Sequence, residues 1–366
     1  MTNKRKVLIA GASGLVGYGA VKHFGARDDW EVIAVSRRPP LDRHGADFIS
    51  VDLMDEKRCR EVFGAMGDVT HVVYAALFEK ISTGLIRGWR ERDQMETNLT
   101  MLRNLFEPLS GVARDLRQVS LLQGTKAYGA HVAPIPIPAR EGNPRHQHEN
   151  FYWLQEDYLR AKQNGKNWSW TILRPQIVFG EAIGGNLNVL PALGVYAALR
   201  KEAGLPLSFP GGTPGVVEAI DADLLAHSME WAATNPACAN QIFNITNGDV
   251  LVWTEVWPVI ADAFGMRVGA PEPHSLREEM PARAAEWSAI VNKYNLRAPT
   301  DLAALVGGSF EFTDSVFAYG FTQSPPPMLV STIKGRQAGF SECIDTEAMF
   351  RKWIGRWQDL RLLPPR

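Results

Sequence analysis

Lys6-Val7-Leu8-Ile9-Ala10-Gly11-Ala12-Ser13-Gly14-Leu15-Val16-Gly17 is the stretch that decides the fold. Its first five residues read as a short buried strand. A glycine turn follows, and then a helix pattern from Tyr18 to Ala26. Glu31-Val32-Ile33-Ala34-Val35 reads as a second strand, ending at Ser36-Arg37-Arg38. A strand, glycine turn, helix and strand in this order make a dinucleotide site. Gly11 permits the tight turn, Gly14 lets the backbone approach a pyrophosphate, and Gly17 lets the helix pack close to the strand. Leu15, Val16 and Gly17 lead into the helix N-terminus, whose unpaired N–H groups suit an anion.

The end of the second strand selects the cofactor. An NAD site usually places an acidic residue there, against the ribose hydroxyls. This chain has Ser36, Arg37 and Arg38. Two guanidiniums and a hydroxyl suit a 2′-phosphate, because Arg forks pair with phosphate oxygens and stack on a flat adenine. NADP(H) is therefore the expected cofactor, against the alternative of a solvated basic turn.

Further along, strand-like runs alternate with helical ones. Strands are expected at 47–53, 70–76, 119–123 and 171–178, with helices near 55–66, 90–110 and 151–165. Such alternation implies a doubly wound parallel α/β sheet covered on both faces, the Rossmann arrangement. Residues 129–150 break the rhythm with four prolines and three histidines, and read as a long solvated loop rather than a metal site. Beyond Gly180 helices dominate, near 189–200, 221–233, 253–264, 275–294, 299–306 and 344–357, with one strand at 241–246. Residues 1–180 are thus expected to bind the dinucleotide. Residues 181–366 are expected to form a smaller, mostly helical substrate-binding part, some of whose segments return to the sheet. Most tryptophans lie beyond residue 150, which fits an aromatic-lined cavity and a tryptophan-filled core equally well.

The chain has 366 residues, 45% hydrophobic and 22% charged, the proportions of an ordinary soluble protein. A net charge of −1 gives no global field toward nucleic acid or anionic membranes. Cys59, Cys238 and Cys343 are few and scattered, so neither a disulfide framework nor a zinc site is expected. No hydrophobic run reaches membrane-span length, and the chain opens on a charged segment and a strand, so a cytoplasmic location is expected. A homodimer is one assembly open to it; the sequence leaves the oligomeric state undecided.

A nicotinamide enzyme needs groups that hold or protonate the oxygen gaining charge as hydride arrives. Common short-chain dehydrogenases use a Tyr with a Lys four residues later. Tyr152 stands at the right distance after the fifth strand, yet four residues on is Glu156. Tyr158 and Lys162 give a formal YxxxK deeper in the same helix. Lys126, in Gly124-Thr125-Lys126-Ala127-Tyr128 just past the fifth strand, offers another cation at the carboxyl edge where open α/β sheets bind ligands.

These segments resemble the progesterone 5β-reductase and iridoid synthase-like enzymes, an atypical branch of the extended short-chain dehydrogenase/reductases. The resemblance includes the glycine turn, Ser36-Arg37-Arg38-Pro39, the Lys126 segment, Asn150-Phe151-Tyr152-Trp153, and Arg174-Pro175-Gln176-Ile177-Val178-Phe179-Gly180. It implies Lys126 and Tyr152 as the catalytic pair. It also implies cofactor contacts at Ser13, Gly14, Leu15, Arg37, Arg38, Asp52, Leu53, Ala75, Ala76, Val178, Gly185, Asn186 and Leu187, and at Lys126 and Tyr152 themselves. The implied reaction is NADPH-dependent reduction of the activated C=C bond of a small enone. Leu122, Ala76-Leu77-Phe78 and Gly185-Asn186-Leu187-Asn188 depart from the plant pattern, so steroid or iridoid substrates do not follow. A sugar-nucleotide epimerase, a ketone reductase and a non-catalytic NADP-binding sensor stand as alternatives.

Overall fold

The computed structural model describes residues 4–80 and 85–366. The chain divides into two compact units. The first holds residues up to Gln176 together with Ala222–Thr246 and Val330–Glu342. Its sheet has seven strands in the order β3-β2-β1-β4-β5-β6-β9. These are β1 (Arg5–Ala10), β2 (Trp30–Ser36), β3 (Asp47–Ser50), β4 (His71–Tyr74), β5 (Gln118–Leu122), β6 (Ser169–Pro175) and β9 (Gln241–Ile245). All six pairings are parallel. Helices cover both faces of the sheet, so the inner residues of its central strands are mostly apolar on both sides. Val7 to Ala10 and Val72 to Tyr74 are accordingly buried throughout. Helices α1 (Leu15–Gly25), α2 (Glu56–Phe63), α3 (Leu85–Gly88), α4 (Arg92–Val112) and α5 (Phe151–Gln163) belong to this unit.

The single strand expected over 171–178 is two strands in different sheets. β6 ends at Pro175, which has no N–H to carry the ladder on. After Gln176 the chain enters the second unit as β7 (Ile177–Phe179), which pairs in parallel with β8 (Ala219–Asp221). The boundary thus falls at 176, not 180, and the chain crosses back: α6 (Val189–Glu202) is in the second unit, while α7 (Ala222–Thr234) and β9 belong to the first.

One further expectation changes, and one reading left open is decided. The helix read over 275–294 is broken into Leu276–Glu279, a 3-10 turn at Met280–Arg283 and Ala284–Lys293. Pro281 removes an N–H inside that run. The tryptophans of the second unit are core, not cavity lining. Trp253, Trp257, Trp287, Trp353 and Trp357 are fully buried. Trp257 and Trp287 donate to the carbonyls of Leu207 and Pro299, as a buried indole must.

Candidate active site

The glycine turn is set by contact as well as by φ. Gly11 has φ +84°, and a Cβ there would lie 2.7 Å from the Ala75 carbonyl oxygen just past β4. At Gly17 a Cβ would lie 2.2 Å from the Gly11 carbonyl oxygen, so any side chain would part helix from turn. Both would collide with backbone, which cannot swing aside. α1 starts at Leu15 with Gly14 as its cap, no capping side chain and no acidic residue in its first turn. The turn therefore presents bare backbone to an anion at a helix N-terminus, as a pyrophosphate requires.

At the end of β2, Arg37 and Arg38 are exposed, and no ion pair is formed by either guanidinium among the described residues. The Ser36 hydroxyl donates to the Arg38 carbonyl at 2.6 Å, and Ser50 donates to the Arg37 carbonyl at 3.0 Å. Ser36 thus fixes the turn that displays the arginines, and only its lone pairs remain for a ligand. Beyond β3, the Asp52 carboxylate accepts from the Met54 N–H, and the buried Leu53 passes its carbonyl to Asn104. Beyond β4, the Ala75 N–H bonds the Ala10 carbonyl, setting Ala75 and Ala76 beside the turn. Val178, Gly185, Asn186 and Leu187 lie in the second unit. There Gly185 accepts from the Ser309 hydroxyl and Asn186 from the Gly308 N–H.

Lys126 and Tyr152 converge at the carboxyl edge of β5. Lys126 sits in a 3-10 turn, Thr125–Tyr128, directly after the strand. Asn150 caps α5 by accepting the Tyr152 N–H at 3.0 Å, and its amide donates to the Lys126 carbonyl at 2.6 Å. One side chain therefore joins the lysine turn to the tyrosine helix. Trp153 adds a bond to the Ala127 carbonyl. A Cβ on Gly124 would lie 3.7 Å from the Tyr152 hydroxyl, which places that hydroxyl over the strand end two residues before Lys126. Burial raises the Tyr152 hydroxyl well above the usual tyrosine value; Glu79 adds to this and Arg174 opposes it. Burial lowers Lys126, and Glu79 draws it back up.

The position of the missing lysine has another task. Glu156 is buried and takes three guanidiniums: Arg160 at 2.9 Å, Arg145 at 3.2 Å and Arg174 at 3.4 Å. Arg174 also donates to Gln123, whose amide donates to the Tyr152 carbonyl. The brace supports α5 from beneath. The formal YxxxK pair points elsewhere: Lys162 pairs with Glu107 on α4, and Tyr158 packs on Phe106 in the main core. Tyr152 instead belongs to a separate cluster with Trp89, Met95, Ala127, Phe151 and Trp153.

Two site residues had no sequence signal. Trp89, 1% exposed, carries the Lys126 ammonium 4.0 Å above its ring and meets Tyr152 edge to face at 5.2 Å. Its indole N–H donates to Glu79 at 3.1 Å. Much of the loop 129–150 is exposed, as expected, but one of its histidines is turned inward. His131 is buried, and its ring meets those of His146 and His148 at 5.8 and 5.9 Å. Burial holds His131 near pKa 3, with the Lys126 charge adding to the effect. β9 anchors this loop: Asn244 accepts from the Tyr128 hydroxyl and donates to the Ala139 carbonyl.

The family model described as the PRISE-like Rossmann-fold domain matches residues 49–316. The chain belongs to the PRISE-like family. It is 30% identical to an (S)-8-oxocitronellyl enol synthase of Catharanthus roseus, covering 99% of this chain and 93% of that one. It is also 30% identical to a 3-oxo-Δ4,5-steroid 5β-reductase of Arabidopsis thaliana, covering 98% and 92%. A short-chain dehydrogenase of Penicillium aethiopicum is 28% identical, covering 98% and 99%. Among solved structures, a UDP-glucose 4-epimerase of Thermotoga maritima superposes with TM-score 0.68 at 15% identity, over 97% of this chain and 99% of that one. That likeness of this PRISE-like chain is one of fold.

Proposed function

We propose that this protein is an NADPH-dependent reductase of the activated C=C bond of α,β-unsaturated carbonyl compounds. The carrying observation is the junction of Lys126 and Tyr152 at the β5 edge, with Glu156 committed to arginines. Ordinary carbonyl reduction uses a nearby lysine to depress the tyrosine pKa. Here that lysine is absent, and the Tyr152 hydroxyl stays protonated. It is a hydrogen-bond donor, not a base. Lys126 makes no ion pair among the described residues, so its charge is directed at a ligand rather than at a carboxylate.

The exposed Arg37 and Arg38 and the bare glycine turn fit the 2′-phosphate and the pyrophosphate of NADPH. When bound, that cofactor supplies hydride. Hydride addition to the β-carbon of an enone moves the π electrons onto the carbonyl oxygen. Tyr152 donates a hydrogen bond to that oxygen and Lys126 sets a positive charge against it. Fixed donors in a dry site stabilise such an oxyanion more than water does. A proton then adds at the α-carbon, and the product is the saturated carbonyl. The names of the two plant relatives, an enol synthase and a steroid 5β-reductase, support this reading. The steroid or monoterpene scaffold is not carried over, because Leu77 and Phe78 change the strand-edge surface. The test is 2-cyclohexen-1-one with deuterated NADPH. Label on the β-carbon of cyclohexanone is expected; allylic alcohol as the product would make the protein a carbonyl reductase instead.

A further inference from the structure

We infer that Glu79 is a positioning residue of this site: from the indole N–H of Trp89 it sets its charge close to the Lys126 ammonium that the face of the same ring carries. The proposal rests on reading Lys126 as the cation that faces the substrate oxygen. Three contacts carry it. The Trp89 N–H donates to Glu79 at 3.1 Å. The Trp89 face carries the Lys126 ammonium at 4.0 Å. The Trp89 edge meets the Tyr152 ring at 5.2 Å. A half-buried lysine such as Lys126 is usually kept charged by a carboxylate in contact, but a contact ion pair would also neutralise the charge needed at the oxygen. An indole face gives a cation an attractive platform without an anion. The carboxylate is set one step back, on the indole N–H. From there its charge acts on both Lys126 and Tyr152.

The charged and titratable groups around the pair are Glu79 beyond β4, Arg90 after α3, His131 and His146 on the loop after β5, Tyr152 on α5 and Arg174 on β6. Glu79 is the group among them that opposes the desolvation of Lys126. Removing its charge therefore lowers the Lys126 pKa, and the Tyr152 pKa falls with it. The pH above which the oxyanion loses its cation moves down.

The experiment is a pH titration of [13C]lysine-labelled protein by NMR, without substrate, with the Lys126 signal assigned by its loss in Lys126→Met. In Glu79→Gln the Lys126 midpoint should fall by about one unit, the lower end of the effect of a neighbouring opposite charge. In Glu79→Asp, which keeps the charge, it should stay closer to the wild-type value. The basic limb of kcat for 2-cyclohexen-1-one should move with the NMR midpoint. An unchanged Lys126 midpoint in Glu79→Gln overturns the proposal. If the midpoint moves but the wild-type protein reduces no enone, the action of the Glu79 charge on Lys126 stands and the proposed reaction fails.

Discussion

Replacing Glu156 tests the brace beneath the tyrosine helix. Its carboxylate takes both Nε and Nη2 of Arg160, at 3.1 and 2.9 Å, along with Arg145 and Arg174. Arg160 and Arg145 are well exposed, so water replaces much of what they lose, and each contributes under about 1 kcal/mol. Arg174 is 6% exposed and Glu156 5%, so that pair behaves as a buried one. Breaking a buried pair from one side costs about 3–5 kcal/mol, because the remaining charge is left without its counter-charge. Arg174 keeps its bond to Gln123, which places Glu156→Gln near the lower end, about 3 kcal/mol. That is roughly a hundredfold in the opening equilibrium of α5. Glu156→Lys, which restores the ordinary YxxxK spacing to Tyr152, sets a fourth cation among three and should cost more still. Amide hydrogen exchange of α5, read by mass spectrometry, measures both directly. If Glu156→Lys leaves α5 protection within a factor of three of wild type and raises carbonyl reduction, the brace is incidental and the argument from Glu156 falls.

Tyr152→Phe and Lys126→Met should each lower kcat by about 10²–10³, the usual loss for one oxyanion donor, with NADPH titration by fluorescence nearly unchanged. Tyr158→Phe should leave kcat within a small factor; loss of turnover there alone would move the centre to Tyr158 and Lys162. Arg37→Ala and Arg38→Ala should each weaken NADPH binding by about 1.5–3 kcal/mol and leave NADH binding unchanged, as calorimetry would read. His131 titrates near 3 when folded, below its ordinary value near 6.5, so the unfolded chain binds the extra proton in between. Stability should therefore decline as the pH falls from about 6.5 toward 3, and His131→Phe should flatten that slope in urea melts taken at successive pH values. An unaltered slope would show that His131 does not titrate in this window.

The local signals of this chain were strong wherever the physics is local. A strand followed by Gly11, Gly14 and Gly17 can be read because a positive φ at Gly11 and close backbone approaches at Gly11 and Gly17 leave no room for a side chain. Arg37 and Arg38 stand out because an acidic residue is expected at that turn. Lys126 and Tyr152 were legible as residues at the end of a strand and the start of a helix, since the alternation of strand and helix predicts where such edges fall. What brings them together was not. Asn150 binds the lysine turn and the tyrosine helix at once, and Glu156 gathers arginines from a loop, its own helix and β6. Those partners are set by burial and by three-dimensional register, which leave no period in the sequence. Trp89 and Glu79 show the same limit. Nothing in their spacing marks an indole as the seat of an ammonium 37 residues further along the chain; only the packing of α3 and its flanks against the β5 turn makes them neighbours. Pro175 ends β6 locally, but where the chain goes next is tertiary: Ile177-Val178-Phe179 is apolar enough for either sheet and pairs with Ala219–Asp221.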